Sequence, residues 1–449
     1  MQNHSLAQRD LAVLWHPCTQ MKDHENYPLI PIKRGEGVWL EDFAGQRYLD
    51  AISSWWVNLF GHANPHINAA LKAQLDTLEH VIFAGFTHTA AIELAEKLVE
   101  VTPAGLERCF YADNGSAAVE IALKMSFQYW RNVGRSQKTR FITLENSYHG
   151  ETIGALAVGN VPLYKDTYAA LLMEVITVPS PDAYARSEGE SWEAYAVRQF
   201  VWMEQALAEH ADSVAAVIIE PLVQCAGNMR MYAPIYLTLL RAACDKYQVH
   251  LIVDEIAVGF GRTGTLFACE QADIAPDFMC LSKGLTGGYL PLSAVLTTQQ
   301  IYQAFYADYQ TLTAFLHSHS YTGNALACRA GLATLELFQR HQVIEANQHL
   351  AATMADLTQR FRAHPQVGEV RQTGMIVAIE LVQDKRTRKP YPWQERRGWR
   401  VYQYALTQGV LLRPLGNVIY FMPPYVINTA ELTWLAEVAW QGIQQAVKD

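Results

Sequence analysis

The sequence predicts an α/β fold: a largely parallel sheet covered by helices, followed by a second, smaller α/β unit. Three observations carry this. Six short, continuously apolar runs fall between residues 108 and 282, with helical patterns separating them, as expected for strands buried on both faces. From about residue 330, long helical patterns surround a strand pair near 375–382 and a further strand at 418–423. The 449 residues are half hydrophobic and 18% charged, which is ample core material for one large unit and a smaller partner.

Residues 1–65 read as strands and turns. VWLEDFAGQRYLDA gives two extended runs about the turn Ala44-Gly45. The large unit spans 66–329, and its strands are RCFYA (108–112), RFITL (140–144), EVITV (174–178), AAVIIE (215–220), HLIVDE (250–255) and FMCLS (278–282). Ligands gather at the C-terminal ends of such strands. The helix opened by Gly115 and Ser116 has Val119, Leu123, Phe127 and Trp130 on its apolar face, and Glu120 with Lys124 as an i,i+4 pair on the other. Residues 330–449 form the last unit. Within it QDKRTRKPYP (383–392) reads as an exposed loop, and Lys385 to Lys389 with Arg396 and Arg397 as a solvated basic cluster.

A net charge of −9 argues against a nucleic-acid or acidic-membrane surface. Seven cysteines (Cys18, Cys109, Cys225, Cys244, Cys269, Cys280, Cys328) are widely spaced, with no CxxC pair and no metal-ligand spacing. A reducing, cytoplasmic setting fits them. MQNHSLAQRDLAVLW lacks the basic start and long apolar run of a signal peptide. No stretch approaches the ~18 apolar residues of a membrane span.

The chemistry is expected at strand ends. In LSKGLTGG (281–288), Lys283 closes an apolar run and opens onto three glycines. A surface lysine would do the same, but a buried one needs a partner or a chemical role. HLIVDE ends in Asp254-Glu255, suited to metal binding, acid–base work or a helix cap. DNGS (113–116) places Gly115 and Ser116 at a helix N-terminus, which is either a phosphate site or a plain cap. ENSYHG (145–150) offers Tyr148 as a stacking platform or packing residue, and His149 as catalytic or structural. GFGRTG (259–264) matches a dinucleotide fingerprint, yet TLFACEQA after it is a poor start for a long helix, so a tight turn is the better reading. Taken together, a phosphate cradle, an aromatic platform, an aspartate and a lysine in this order are what pyridoxal 5′-phosphate requires. Lysine carries the aldehyde, aspartate keeps the pyridine nitrogen protonated and the helix N-terminus takes the phosphate.

On these motifs the chain resembles the class III (subgroup II) aminotransferases of fold type I. The resemblance covers essentially the whole chain, including WHPCTQM (15–21), SSWW (53–56), DEIAVGFGRTG (254–264), HSHSYTGN (317–324) and RPLGNVIYFMPP (413–424). It implies a homodimer in which each chain has a mainly parallel seven-stranded sheet and a smaller α/β domain made from both chain ends. It implies Lys283 as the cofactor lysine and Asp254 as partner of the ring nitrogen. Gly115 and Ser116 are implied as phosphate binders and Tyr148 as the aromatic over the ring. His319 and Ser320 would reach the neighbouring subunit's phosphate, with Ser318 beside the substrate. Trp55 matches a substrate-pocket tryptophan, and Arg413 the arginine that binds the keto acid's carboxylate. Cys18 stands where the family often has an aromatic facing the amino acceptor, and would widen that wall.

WHP, SSWW and RPLGNVIYFMPP are similar to the branch serving biotin biosynthesis. That implies amination of the ketone of 8-amino-7-oxononanoate, with S-adenosylmethionine as donor. HSHSYTGN, GGYLP (287–291) and VRQTG (370–374) are similar to members that use lysine, so the donor stays open. The alternatives are another class III aminotransferase acting on ω-amines, a nicotinamide-dependent oxidoreductase using GFGRTG, and a non-enzymatic interaction protein.

Overall fold

Alternate residues along the central strands face opposite layers of helices, and this period of two builds the large unit. In the computed structural model, which describes residues 2–448, Ile218, Ile252, Phe278, Cys280 and Val295 pack with the helix Gly115–Asn132. Their neighbours Val217, Ile219, Leu251, Val253, Met279 and Leu281 pack on the other face with the helices Trp192–His210 and Ile235–Tyr247. Both faces are dry, so the strands read as unbroken apolar runs.

The sheet has seven strands in the order Leu106–Ala112, Ser293–Thr298, Phe278–Leu281, His250–Asp254, Val214–Ile219, Arg140–Leu144, Ile176–Val178. All six expected strands are present. The seventh, Ser293–Thr298, pairs antiparallel with both of its neighbours. Its sequence, SAVLTT, sets three apolar residues among hydroxyls and lacks the signal of the others.

Two smaller sheets lie outside this unit. Ile32–Glu36, Trp39–Asp42 and Arg47–Asp50 form an antiparallel meander, and Val410–Leu411 adds parallel to its last strand. Val367–Thr373, Ile376–Asp384, Lys389–Pro390 and Val418–Phe421 form the other. The two chain ends therefore share a sheet.

Four expectations fail. QDKRTRKPYP is not simply an exposed loop, because Asp384 and Val382 pair with Lys389 and Pro390 in a strand pair and Tyr391 is buried. Residues 1–65 are not only strands and turns, because Gln2–Leu11 is a helix that buries only Ala7. Glu120 and Lys124 do not pair. The Glu120 carboxylate accepts from the Thr152 hydroxyl (2.6 Å) and the Gly154 N–H (2.7 Å), while Lys124 lies 2.8 Å from His317 Nδ1. Backbone N–H groups of the next helix, Ile153–Val158, out-compete a solvated ion pair. The basic cluster is only partly solvated: Arg397 is buried and bonds the Ala446 carbonyl at 2.7 Å, and Arg396 pairs with Asp23 at 2.7 Å. No helix among the described residues is long and apolar enough to cross a membrane.

Candidate active site

Lys283 leaves the strand Phe278–Leu281 with a left-handed backbone (φ 45°), a conformation costing ~1–2 kcal/mol for a side-chain-bearing residue. The strain aims its ammonium into a cavity of about 390 Å³ at the C-terminal edge of the sheet. The glycines that follow have a packing reason. Gly288 (φ 85°) lies so close to the 57–58 backbone that a Cβ would come within 3.0 Å of the Asn58 nitrogen.

Four other strands of the sheet also end at this cavity. Asp254 terminates His250–Asp254, Glu220 follows Val214–Ile219, Tyr148 and His149 follow Arg140–Leu144, and Asn114 to Ser116 follow Leu106–Ala112. Asp254 is buried, with one carboxylate oxygen 2.7 Å from His149 Nδ1 and the other accepting the Ile256 N–H at 3.1 Å. The outer nitrogen of His149, Nε2, is buried without a partner. Glu220 is buried too, accepting from the backbone N–H groups of Tyr148 (2.9 Å) and Cys225 (3.0 Å). Burial, and then the nearby Asp254, push its pKa well up. Burial lowers the Lys283 pKa, with Asp254, Cys225 and Glu220 opposing. A lysine poised toward its neutral form can accept a proton or attack a carbonyl.

Of the Asp254-Glu255 pair, only Asp254 faces the cavity. Glu255 turns away, accepts the backbone N–H groups of Ala268 and Cys269 at 3.0 and 2.8 Å, and has its pKa pushed up to about 7 by burial.

The phosphate-like corner is built on the helix Gly115–Asn132. Asn114 caps it by accepting the Ala117 N–H at 3.0 Å, and first-turn N–H groups have no partner within the helix. Ser116 Oγ accepts the Thr152 N–H (3.1 Å) and meets its hydroxyl at 2.9 Å. Gly150 (φ 124°) passes so near that a Cβ there would lie 2.2 Å from Ser116 Oγ.

Lys283, Asp254, Tyr148, Gly115 and Ser116 thus meet around one cavity, joined by Trp56, whose ring centroid lies 5.1 Å from Lys283 Nζ. Trp55 and Arg413 meet each other instead, with the guanidinium 5.4 Å from the ring centroid. Cys18 sits at the rim, its thiol 3.9 Å from the Tyr164 hydroxyl, and Tyr164 stands edge-on to Tyr148. Ser318, His319 and Ser320 do not line this cavity. His319 contacts His317, and the Ser320 carbonyl accepts from His80 at 2.7 Å.

Sequence reasoning missed Glu220, Thr152 and Trp56. Glu220 was findable, since AAVIIE ends in a carboxylate just as HLIVDE does. GFGRTG is a turn whose Arg262 is buried, giving no helix N-terminus for a pyrophosphate.

The profile of the family described as Aminotransferase class-III matches residues 20–443. The adenosylmethionine-8-amino-7-oxononanoate aminotransferase of Helicobacter pylori is 48% identical over 435 residues, covering 95% of each chain. That of Geobacter sulfurreducens is 43% identical over 97% of this chain and 95% of its own. The crystal structure of the Methanocaldococcus jannaschii protein of that name has a TM-score of 0.94 at 38% identity, over 99% of this chain and 100% of that one. An omega transaminase from Pseudomonas jessenii, solved in complex with PMP, has a TM-score of 0.93 at 30% identity over 98% of both chains.

Proposed function

The chain belongs to the class III aminotransferases, and we propose that it aminates the ketone of 8-amino-7-oxononanoate to give 7,8-diaminononanoate for biotin biosynthesis, with S-adenosylmethionine or lysine as donor. The observation that carries this is the convergence of Lys283, Asp254 and a helix N-terminus on one cavity.

The family's cofactor is pyridoxal 5′-phosphate, and the residues fit it. The cradle at Gly150 and Ser116 has no room for a Cβ, and His149 leaves a buried nitrogen unpaired beside Asp254. When bound, the group supplies an aldehyde that takes up amines and a ring that withdraws electrons from the attached carbon. Ser116 and the first-turn N–H groups would hold its phosphate, and Tyr148 would flank its ring. Asp254, oriented by His149, would accept the N–H of the protonated ring nitrogen. Lys283 Nζ, its pKa lowered by burial, would take a proton from the nitrogen-bearing carbon of the substrate and return it on the opposite side of that C–N unit. Arg413 would pair bidentately with the remote carboxylate, and Trp55 would line the alkyl chain.

The same reading makes the protein a cytoplasmic homodimer with shared sites. Its seven free thiols suit a reducing compartment. The 318–320 segment misses its own cavity, and Leu312 and Leu316 beside it are exposed, as an interface would need. Mixing Lys283→Ala chains with Ser320→Phe chains should restore activity in the heterodimer. Absence of recovery, with heterodimers confirmed, argues for unshared sites.

The function is tested by supplying the holoenzyme with 8-amino-7-oxononanoate and each donor in turn, and detecting the diamine by mass spectrometry. Turnover of simple ω-amines with the keto acid left untouched would refute it.

A further inference from the structure

Residues Ser53, Ser54, Trp55 and Trp56 all have left-handed backbones, with φ of 52°, 46°, 71° and 75°. They form one turn of left-handed helix, with the Trp56 N–H on the Ile52 carbonyl (2.9 Å) and the Val57 N–H on that of Ser53 (3.0 Å). L-residues adopt this conformation singly, not in runs, and none of these four is glycine. Such a run persists only where its surroundings over-determine it.

The surroundings act at both ends. At the start, the Asp50 carboxylate, fully buried, accepts the Ser54 N–H (2.9 Å) on one oxygen and the Ser54 hydroxyl (2.7 Å) on the other. His62 Nε2 is 3.0 Å from that second oxygen, and Asn58 Nδ2 is 3.2 Å from Nδ1. This assigns the ring's proton to Nε2, donating to Asp50. At the far end, buried Arg262 donates to the Asn58 carbonyl (3.1 Å) and the Pro423 carbonyl (2.8 Å). That is the role of the arginine in GFGRTG. Trp56 is tied separately, its indole N–H on the Tyr420 hydroxyl at 3.0 Å. Trp55 has no such tie: the residue is 40% exposed, with its ring against the Arg413 guanidinium.

The geometry points to Asp50 as the positioning residue for Trp55. By fixing residue 54 through both its amide and its hydroxyl, Asp50 sets where the Trp55 ring stands beside Arg413, and so shapes the subsite for the alkyl chain and carboxylate of the amino-group acceptor. An aspartate away from the cavity would thereby tune acceptor recognition. The acceptor's identity rests on the function proposed above; the coupling of Asp50 to Trp55 does not.

The test is a double-mutant cycle on the holoenzyme with Asp50→Asn, Trp55→Ala and both. Asparagine keeps the size and can still accept the Ser54 N–H, but loses the charge and one acceptor. Asp50→Asn should raise the acceptor KM about tenfold with kcat within about twofold, the size expected from weakening one charge-assisted bond. Trp55→Ala should raise the KM similarly, and the double variant no further, because both changes remove one effect. Multiplying effects overturn the proposal, as does an unchanged KM in Asp50→Asn. The near-ultraviolet circular dichroism of Trp55, read as wild type minus Trp55→Ala, gives an arm independent of any substrate. It should vanish in the Asp50→Asn background while melting remains cooperative, and its persistence there overturns the proposal. Should wild type leave 8-amino-7-oxononanoate unconverted, the functional reading falls and the dichroism alone decides the positioning role.

Discussion

Replacing Gly150 by alanine tests the phosphate corner at its most crowded point. The added Cβ would stand 2.2 Å from Ser116 Oγ, 2.7 Å from its Cβ and 2.9 Å from its Cα, and φ at this position is 124°. Two costs follow. The backbone conformation, native to glycine, costs alanine about 1–3 kcal/mol in the folded state. Ser116 must also retreat by roughly an ångström, and it cannot do so without loosening the 2.9 and 3.1 Å bonds to Thr152. If Ser116 donates to the cofactor's phosphate, losing that one charge-assisted bond is worth about 1.5–3 kcal/mol, or a ten- to hundredfold weaker Kd. The assay has two parts: chemical denaturation of the apoprotein reads the backbone cost, and titration with pyridoxal 5′-phosphate, followed by its visible absorbance, reads the second. A variant that is destabilised yet binds cofactor within twofold of wild type would show that Ser116 is no phosphate ligand. A variant unchanged in both would refute the geometric argument itself.

Three further outcomes are expected. Lys283→Ala should still bind cofactor through the other groups but lose the yellow colour of the lysine-bound form, with turnover down by roughly 10²–10⁴-fold or more; wild-type turnover would remove Lys283 from its role. Asp254→Asn should slow single-turnover proton transfer by about 10²–10³-fold because the neutral amide no longer stabilises a protonated ring; an unchanged rate would move the role to Glu220, which lines the cavity, since Glu255 turns away from it. His250 is buried against Trp130 and hydrogen-bonded to Ser126, and burial lowers its pKa to about 4. Between pH 4 and 6.5 the unfolded chain binds a proton that the folded chain refuses, so this residue's contribution is full above 6.5 and lost as pH falls toward 4, by roughly 3 kcal/mol. Denaturation at pH 7 and 4.5 should show a smaller acid loss in His250→Phe than in wild type, and equal losses would refute it.

The legible parts of the fold were those where one local rule decides the outcome. Strands buried on both faces announce themselves as apolar runs, and their ends mark where Lys283, Asp254 and Tyr148 meet. The strand Ser293–Thr298 was not legible because its buried hydroxyls, Ser293 and Thr297, interrupt the apolar run, and the helix Gln2–Leu11 was not because it buries only Ala7. Glu120 illustrates a different limit: spacing proposed Lys124 as its partner, but distant backbone donors offered better bonds. The left-handed turn at 53–56 was beyond any local rule. Nothing in SSWW favours positive φ, and of the groups that impose it Asp50 is near in sequence but carries no signal of the role, while Arg262, Tyr420 and Met422 lie hundreds of positions away.

The order of strands in the large sheet also sets an order in time. Leu106–Ala112 lies at the sheet's edge, and among the described residues its only neighbour there is Ser293–Thr298. On a ribosome, therefore, this strand emerges early and waits unpaired until residues 113–292 have followed it out. Unpaired edges of this kind invite aggregation and slow the search for native contacts. The turn that opens the next helix, with Gly115 and Ser116, cannot be seated before that pairing. Nor can the tryptophan turn settle until Tyr420 and Met422 have been synthesised. A nascent chain thus holds no finished pocket until almost all of it has left the ribosome, and cofactor capture falls among the last events of its biogenesis.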